Sequence, residues 1–110
     1  MDNSYPPQGN TSTAQMGNAP LVSVSATGTI SPNTIEEDTG TITRTIPLAG
    51  LWSGQRIQCI NIGTGVISLT CAQQIYSSNG IIAANTPFTL PSQGEWIVLQ
   101  SDGVNIIQVS

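Results

Sequence analysis

Glu36-Glu37-Asp38 is the densest group of ionisable side chains in this 110-residue chain, and the only place where several carboxylates stand together. Adjacent hard oxygen donors have the chemistry of a calcium site, because Ca²⁺ seeks many oxygen ligands. The simpler reading, and the one expected here, is a solvated acidic loop; in an oligomer such loops form an acidic ring that favours solubility. Asp2, Glu95 and Asp102 stand apart, and Asp102 is explained by a turn. Lys and His are absent, and the two cations are Arg44 and Arg56. The commonest general acid–base groups are therefore missing. Ser and Thr are plentiful, yet none has an activating base nearby in sequence. No Gly-rich loop follows a strand and opens a helix, so nucleotide binding has no support. The expectation is a protein with no enzymatic activity, no metal and no cofactor.

Cys59 and Cys71 are the only cysteines. They permit one disulfide, but two buried, reduced thiols are expected. Two Cys without a His fall short of a zinc site. The start "MDNSY" carries neither a basic nor an apolar segment, and no apolar run approaches a membrane span. Synthesis in the cytoplasm and no membrane partner are expected. Charged residues make up 7% of the chain, against roughly 25% in a typical soluble protein. Polarity comes instead from 12 Ser, 13 Thr, 8 Asn and 9 Gln. A net charge of −4 with no basic cluster argues against nucleic acid, since phosphate tracking needs several Lys or Arg.

The elements that position these residues read as strands. "GTITRTI" alternates cleanly, with Ile42, Arg44 and Ile46 on one face and Thr41, Thr43 and Thr45 on the other. Arg44 is the odd member of its face; it sits at a strand end, at a subunit contact, or against a carboxylate. "GQRIQCINIGTGVISLTC" reads as a hairpin turning at Gly63-Thr64-Gly65, which brings Cys59 nearer Ser68 than Cys71. "QIY" and "IIA" read as short strands around the turn "SSNG". "GEWIVLQSDGVNIIQVS" is the clearest element, two apolar strands joined by Asp102-Gly103, with Trp96 expected to anchor a core face. "SPNTIEED" allows one helical turn, capped by Ser31 with Pro32 at its first position. No internal repeat is evident. The body, residues 21–110, is expected to be all-β: a small sandwich or barrel of seven or eight short antiparallel strands. Ile42, Ile57, Leu69, Trp96 and Val98 are the candidates for its core or for a seam between copies.

Residues 1–20 differ. From Tyr5 to Pro20 there is no β-branched aliphatic residue, but three Pro and two Gly. Such a stretch cannot bury enough apolar surface to offset the entropy of ordering it alone. Tyr5-x-Pro7-Gln8-Gly9-Asn10, then Ala14, then Ala19-Pro20, resembles the amino-terminal arm of the head-decoration proteins of phage lambda and its relatives. That resemblance implies an extended arm that pairs with a strand of the major capsid protein on the outside of the mature head. It also implies a body that forms homotrimers at three-fold and quasi-three-fold points, on the outer surface of a virion. Tyr5 is then the side-chain anchor, Gln8 and Asn10 the candidate hydrogen-bonding residues, and Pro6 and Pro7, which lack donors, flank the pairing stretch or face outward within it.

Residues 21–110 do not align with the centre of the lambda family. Instead "RIQCINIGTGVISLT" and "GEWIVLQSDGVNIIQV" look like β-domains common in phage fibres, spikes and head knobs, which often read G-x-x-v-x-l-x-S-D-G-x-N-W; Ile106 stands where that pattern has Trp. The rival expectation is thus a fibre or spike knob that binds a receptor or glycan through loops near residues 76–79. A small secreted lectin is a third reading, weakened by the lack of a signal peptide.

Overall fold

A computed structural model describes residues 19–110. Eleven short strands form two sheets, and no α-helix occurs among these residues. The larger sheet contains β1 (Leu21–Val24), β3 (Ile35–Asp38), β5 (Arg56–Asn61), β7 (Ile75–Ser77), β8 (Gly80–Ile82), β10 (Trp96–Ser101) and β11 (Ile106–Gln108), in the order β1-β3-β5-β10-β11-β7-β8. The smaller contains β2 (Gly28–Thr29), β4 (Ile42–Ile46), β6 (Ile67–Cys71) and β9 (Phe88–Leu90), in the order β2-β4-β6-β9. The all-β, sandwich-like expectation holds. The count of seven or eight strands is too low, because pieces such as the two-residue β2 read as loop.

The expectation of antiparallel pairing is corrected. From β1 to β6 the chain alternates between the two sheets, so each strand pairs in parallel with the one two places earlier: β1 with β3, β3 with β5, β2 with β4, and β4 with β6. A parallel pair needs a crossover connection. Here the strand of the opposite sheet supplies it, in three coil-like turns. The remaining strands return largely antiparallel, through β7–β8, β10–β11, β5–β10 and β6–β9.

The hairpin expected between β5 and β6 does not form, since these strands lie in different sheets. Gly63-Thr64-Gly65 is a corner between layers, stacked on the corner of the previous turn. A Cβ on Gly65 would lie 2.4 Å from the carbonyl carbon of Gly40, and one on Gly63 would lie 3.2 Å from the Cα of Thr39. Glycine is required there by close approach of backbone to backbone. Asn61, fully buried, fastens the corner: its Nδ2 donates to the carbonyls of Gly65 (2.9 Å) and Leu90 (2.8 Å), and its Oδ1 accepts from the Gly63 N–H (3.0 Å).

The helical turn expected at "SPNTIEED" is a tight turn followed by strand β3. Asn33 takes φ 59°, a left-handed conformation that Asn tolerates and a helix cannot continue through. The Asp102-Gly103 hairpin forms as expected, with Asp102 Oδ1 accepting from the N–H groups of Val104 (2.9 Å) and Asn105 (2.6 Å).

The core lies between the sheets. Ile57, Cys59, Ile75, Ile97, Leu99 and Ile106 from the larger sheet meet Ile46, Ile67, Leu69 and Leu90 from the smaller. Trp52, which the sequence did not single out, is the largest fully buried side chain, and its Nε1 donates to the Pro47 carbonyl at 2.8 Å. Both cysteines are free and buried, as expected.

Candidate functional site

The acidic cluster is a strand of the interior. Glu36 and Asp38 are buried on the inner face of β3, and the expectation of a solvated loop is corrected. The reason is Arg44, eight residues on and in the opposite sheet. Its Nε donates to Glu36 Oε1 at 3.0 Å and its Nη2 to Oε2 at 2.7 Å, a bidentate pair of fixed geometry. Nη1 donates to the Ala26 carbonyl and Nη2 also to that of Thr29, each at 3.1 Å. Gly28 makes the room, since a Cβ there would stand 2.9 Å from Nη1. Of the three places foreseen for Arg44, the structure takes the carboxylate. The hydrogen bond to Glu36 raises the Arg44 pKa further, outweighing burial.

Behind the pair, the Cys59 thiol donates to Asp38 Oδ2 at 2.7 Å, while the buried Asp38 Oδ1 has no partner among the described residues. Burial pushes the Asp38 carboxyl up to about 6; the thiol hydrogen bond opposes the rise and Glu36 adds to it. Burial, with the Asp38 contact, raises the Cys59 thiol far above its usual range and so favours its neutral form. Donor atoms of Glu36, Asp38 and Cys59 lie within 4.8 Å of one another, the spacing of a metal cage. Arg44, however, already holds both oxygens of Glu36. The chemistry of this cluster is structural: it ties one sheet to the other.

A second feature opens to solvent. At one end of the sandwich, the β7–β8 hairpin tip, the end of β11, the start of β10 and β9 enclose a cleft of about 380 Å³. Its apolar lining includes Trp96, Ile81 and Phe88, and its polar lining Asn79, Thr89 and Gln108. Trp96 was expected on a core face or in a seam between copies, and it is not in the core. It is 54% exposed, because in the unbroken apolar run Trp96-Ile97-Val98-Leu99 the inner phase belongs to Ile97 and Leu99. Of the other body candidates, Ile57 and Leu69 are fully buried in the core, Ile42 packs against it, and Val98 is buried outside it.

Val98 lies on the outer face of the larger sheet. The registers place Leu21, Ile35, Ile60, Trp96, Ile107 and Val109 on that face with it, and Tyr76 and Ile81 at its far edge. Sequence reasoning missed this broad apolar face, because consecutive apolar residues conceal which one points outward.

The arm positions Tyr5, Pro6, Pro7, Gln8, Gly9, Asn10 and Ala14 lie outside the described residues. Ala19 is half-buried and Pro20 exposed, and the Pro20 carbonyl accepts from the Ile35 N–H at 2.9 Å as the chain enters β1. β1 is an edge strand with one side unpaired among the described residues. Comparison with family models, with curated proteins and with solved structures finds no match for this chain.

Proposed function

We propose that this chain is a capsid decoration protein of a bacteriophage, a trimer that binds the outside of the assembled head through residues 1–20 and stabilises the shell. The observation that carries the reading is the run Tyr5-x-Pro7-Gln8-Gly9-Asn10, with Ala14 and Ala19-Pro20, joined to an all-β body. Its partner is the major capsid protein. An extended, Pro-rich segment gains order by adding to an exposed sheet edge, where main-chain hydrogen bonds supply affinity. In sequence the arm is followed at once by β1, an edge strand with one side unpaired among the described residues, which suits a protein that adds to another sheet. The outer apolar face around Val98 supports contact between copies, in keeping with the trimer.

The action of such a protein is thermodynamic. A ligand that binds only the assembled shell stabilises it by mass action, and many copies bridging neighbouring capsomers oppose internal pressure. Few charges and abundant Thr, Ser, Asn and Gln suit wet, hydrogen-bonded contacts.

The test is deletion of residues 1–18. The shortened protein is expected to remain a folded trimer that no longer sediments with purified heads; retained binding would remove the arm from the mechanism. The fibre or spike knob is separated from this reading by stoichiometry, with hundreds of copies per particle for decoration and a few dozen or fewer for a knob.

A further inference from the structure

We propose that copies of this chain join through the outer face of the larger sheet, with Glu37 of one copy paired to Arg56 of the next. The inference rests on the trimer of the reading above and not on its capsid partner.

The strand positions on that face are uncharged except for these two. An apolar stripe crosses it without a break, from Ile60 through Trp96, Val98 and Val109 to Ile107 and Tyr76. Val98 is buried at its centre, whereas Trp96, Tyr76, Ile107 and Val109 are exposed. The stripe passes over the neighbouring strands β5, β10, β11 and β7, and a contiguous apolar patch of that extent is rarely left facing water. Covering it with another copy supplies affinity by burial, and a charge pair beside it fixes the register.

Neither charge is answered within its own copy among the described residues. Glu37, half-buried on β3, accepts no hydrogen bond there, whereas the surface carboxylates of Glu95 and Asp102 accept from backbone N–H groups. Arg44 is held in the interior, so Arg56 is the cation left for the surface. Its Nε donates to Gln100 Oε1 at 3.0 Å, and its Nη groups have no partner among the described residues. Glu37 sits opposite Ile60, four residues along β5 from Arg56, so about 13 Å of strand separates the two charges in one copy. An ion pair between them needs a second copy.

The rows of side chains also match. Glu37, Ile60 and Trp96 stand side by side across β3, β5 and β10, and Arg56, Gln100 and Ile107 across β5, β10 and β11. Laying the first row of one copy along the second row of the next sets Glu37 against Arg56 and Trp96 against Ile107 together. Such a contact joins two different patches, and contacts of that kind build closed rings. Residues 1–18 are poorer occupants of this face: they contain no Arg or Lys to meet Glu37, and Tyr5 is their only aromatic side chain.

The experiment is sedimentation velocity on the full-length protein over a range of concentrations, with binding to purified heads measured in parallel. The parent is expected to run as a trimer. Glu37→Arg and Arg56→Glu each set like charges against one another, and each is expected to raise the dissociation constant about tenfold. The two reversals combined restore the pair in the opposite sense and are expected to return it to within about threefold of the parent. Trp96→Ser, at an exposed position, is expected to weaken assembly further while circular dichroism shows the parent fold. The inference is overturned if the parent is monomeric, if all three single variants assemble as the parent does, or if the double reversal is as weak as the singles combined. It is also overturned if Glu37→Arg stays trimeric and loses the heads, which makes the face a capsid contact. Removal of residues 1–18 that alone leaves a monomer overturns it too, by assigning the contact to those residues. Assembly that responds as expected while heads stay bare keeps this contact and removes the decoration reading; a trimer indifferent to every substitution that still coats heads does the reverse.

Discussion

Replacing Arg44 by Met removes the cation from an interior that keeps its carboxylates. Glu36 is then left 2% exposed with no positive partner, beside an Asp38 that is fully buried. Breaking one side of a buried ion pair costs about 3–5 kcal/mol, mostly as the penalty of the stranded charge. The carbonyls of Ala26 and Thr29 also lose their donors, but they lie near the surface, where water substitutes, so the upper end of that range is a fair limit. A domain of this size has about 5–15 kcal/mol in all, so Arg44→Met should remove a large share of it. By the entropy of unfolding expected for fewer than a hundred residues, Tm should fall by roughly 15–30 °C. Urea unfolding at neutral pH, followed by the emission of buried Trp52, gives the number directly. One control sharpens it. The double replacement Glu36→Met with Arg44→Met should recover most of the loss, because neither charge is then buried alone. A loss below about 1 kcal/mol for Arg44→Met, or a double variant as damaged as the two singles added together, would refute the claim that this pair is desolvated and holds the sheets together.

The raised pKa of Asp38 sets a pH dependence. Its carboxyl titrates at about 6 in the fold and near 3.8 in the unfolded chain, so the folded state binds the proton more tightly. This contribution is fully present below about pH 3.8 and is lost as pH rises through 6, a change of at most about 3 kcal/mol. Asp38→Asn should flatten Tm across that window, and a parent-like slope in the variant would assign the effect elsewhere. Gly65→Ala should destabilise by about 1–3 kcal/mol, because its Cβ would meet the Gly40 backbone at 2.4 Å; chemical unfolding that matches the parent would mean the stacked corners are not formed. Tyr5→Ala should weaken binding to purified heads and leave the melting temperature of the body unchanged, and a lower Tm would place Tyr5 in the body instead.

What the sequence disclosed was local. The strict alternation from Thr41 to Ile46 and the Asp102-Gly103 turn are short-range signals, and β4 and the β10–β11 hairpin follow from them. Parallel pairing is not local. Leu21 pairs with Ile35 and Ile42 with Ile67 across intervening strands of the other sheet, and no adjacent residues mark that connection. Gly63-Thr64-Gly65 has the composition of a hairpin turn, and only the Gly40 backbone lying against it makes it a corner. Glu36-Glu37-Asp38 suggested a wet loop because charge usually means exposure, and the compensating Arg44 belongs to the opposite sheet. Arg44 did carry a usable signal, a cation between two Ile on an otherwise apolar face. The hairpin tip near residues 76–79 was a candidate and lines the cleft, whereas the outward phase of Trp96 was hidden in an unbroken apolar run that gives no alternation to read.

The central claim is that many copies of this chain coat an assembled head. A reconstruction of particles incubated with the full-length protein tests it most directly. The account predicts trimeric density over the three-fold and quasi-three-fold positions in hundreds of copies, with the leading residues laid along a capsid strand. Density confined to a single vertex appendage, or heads that remain bare at saturating protein, would contradict it.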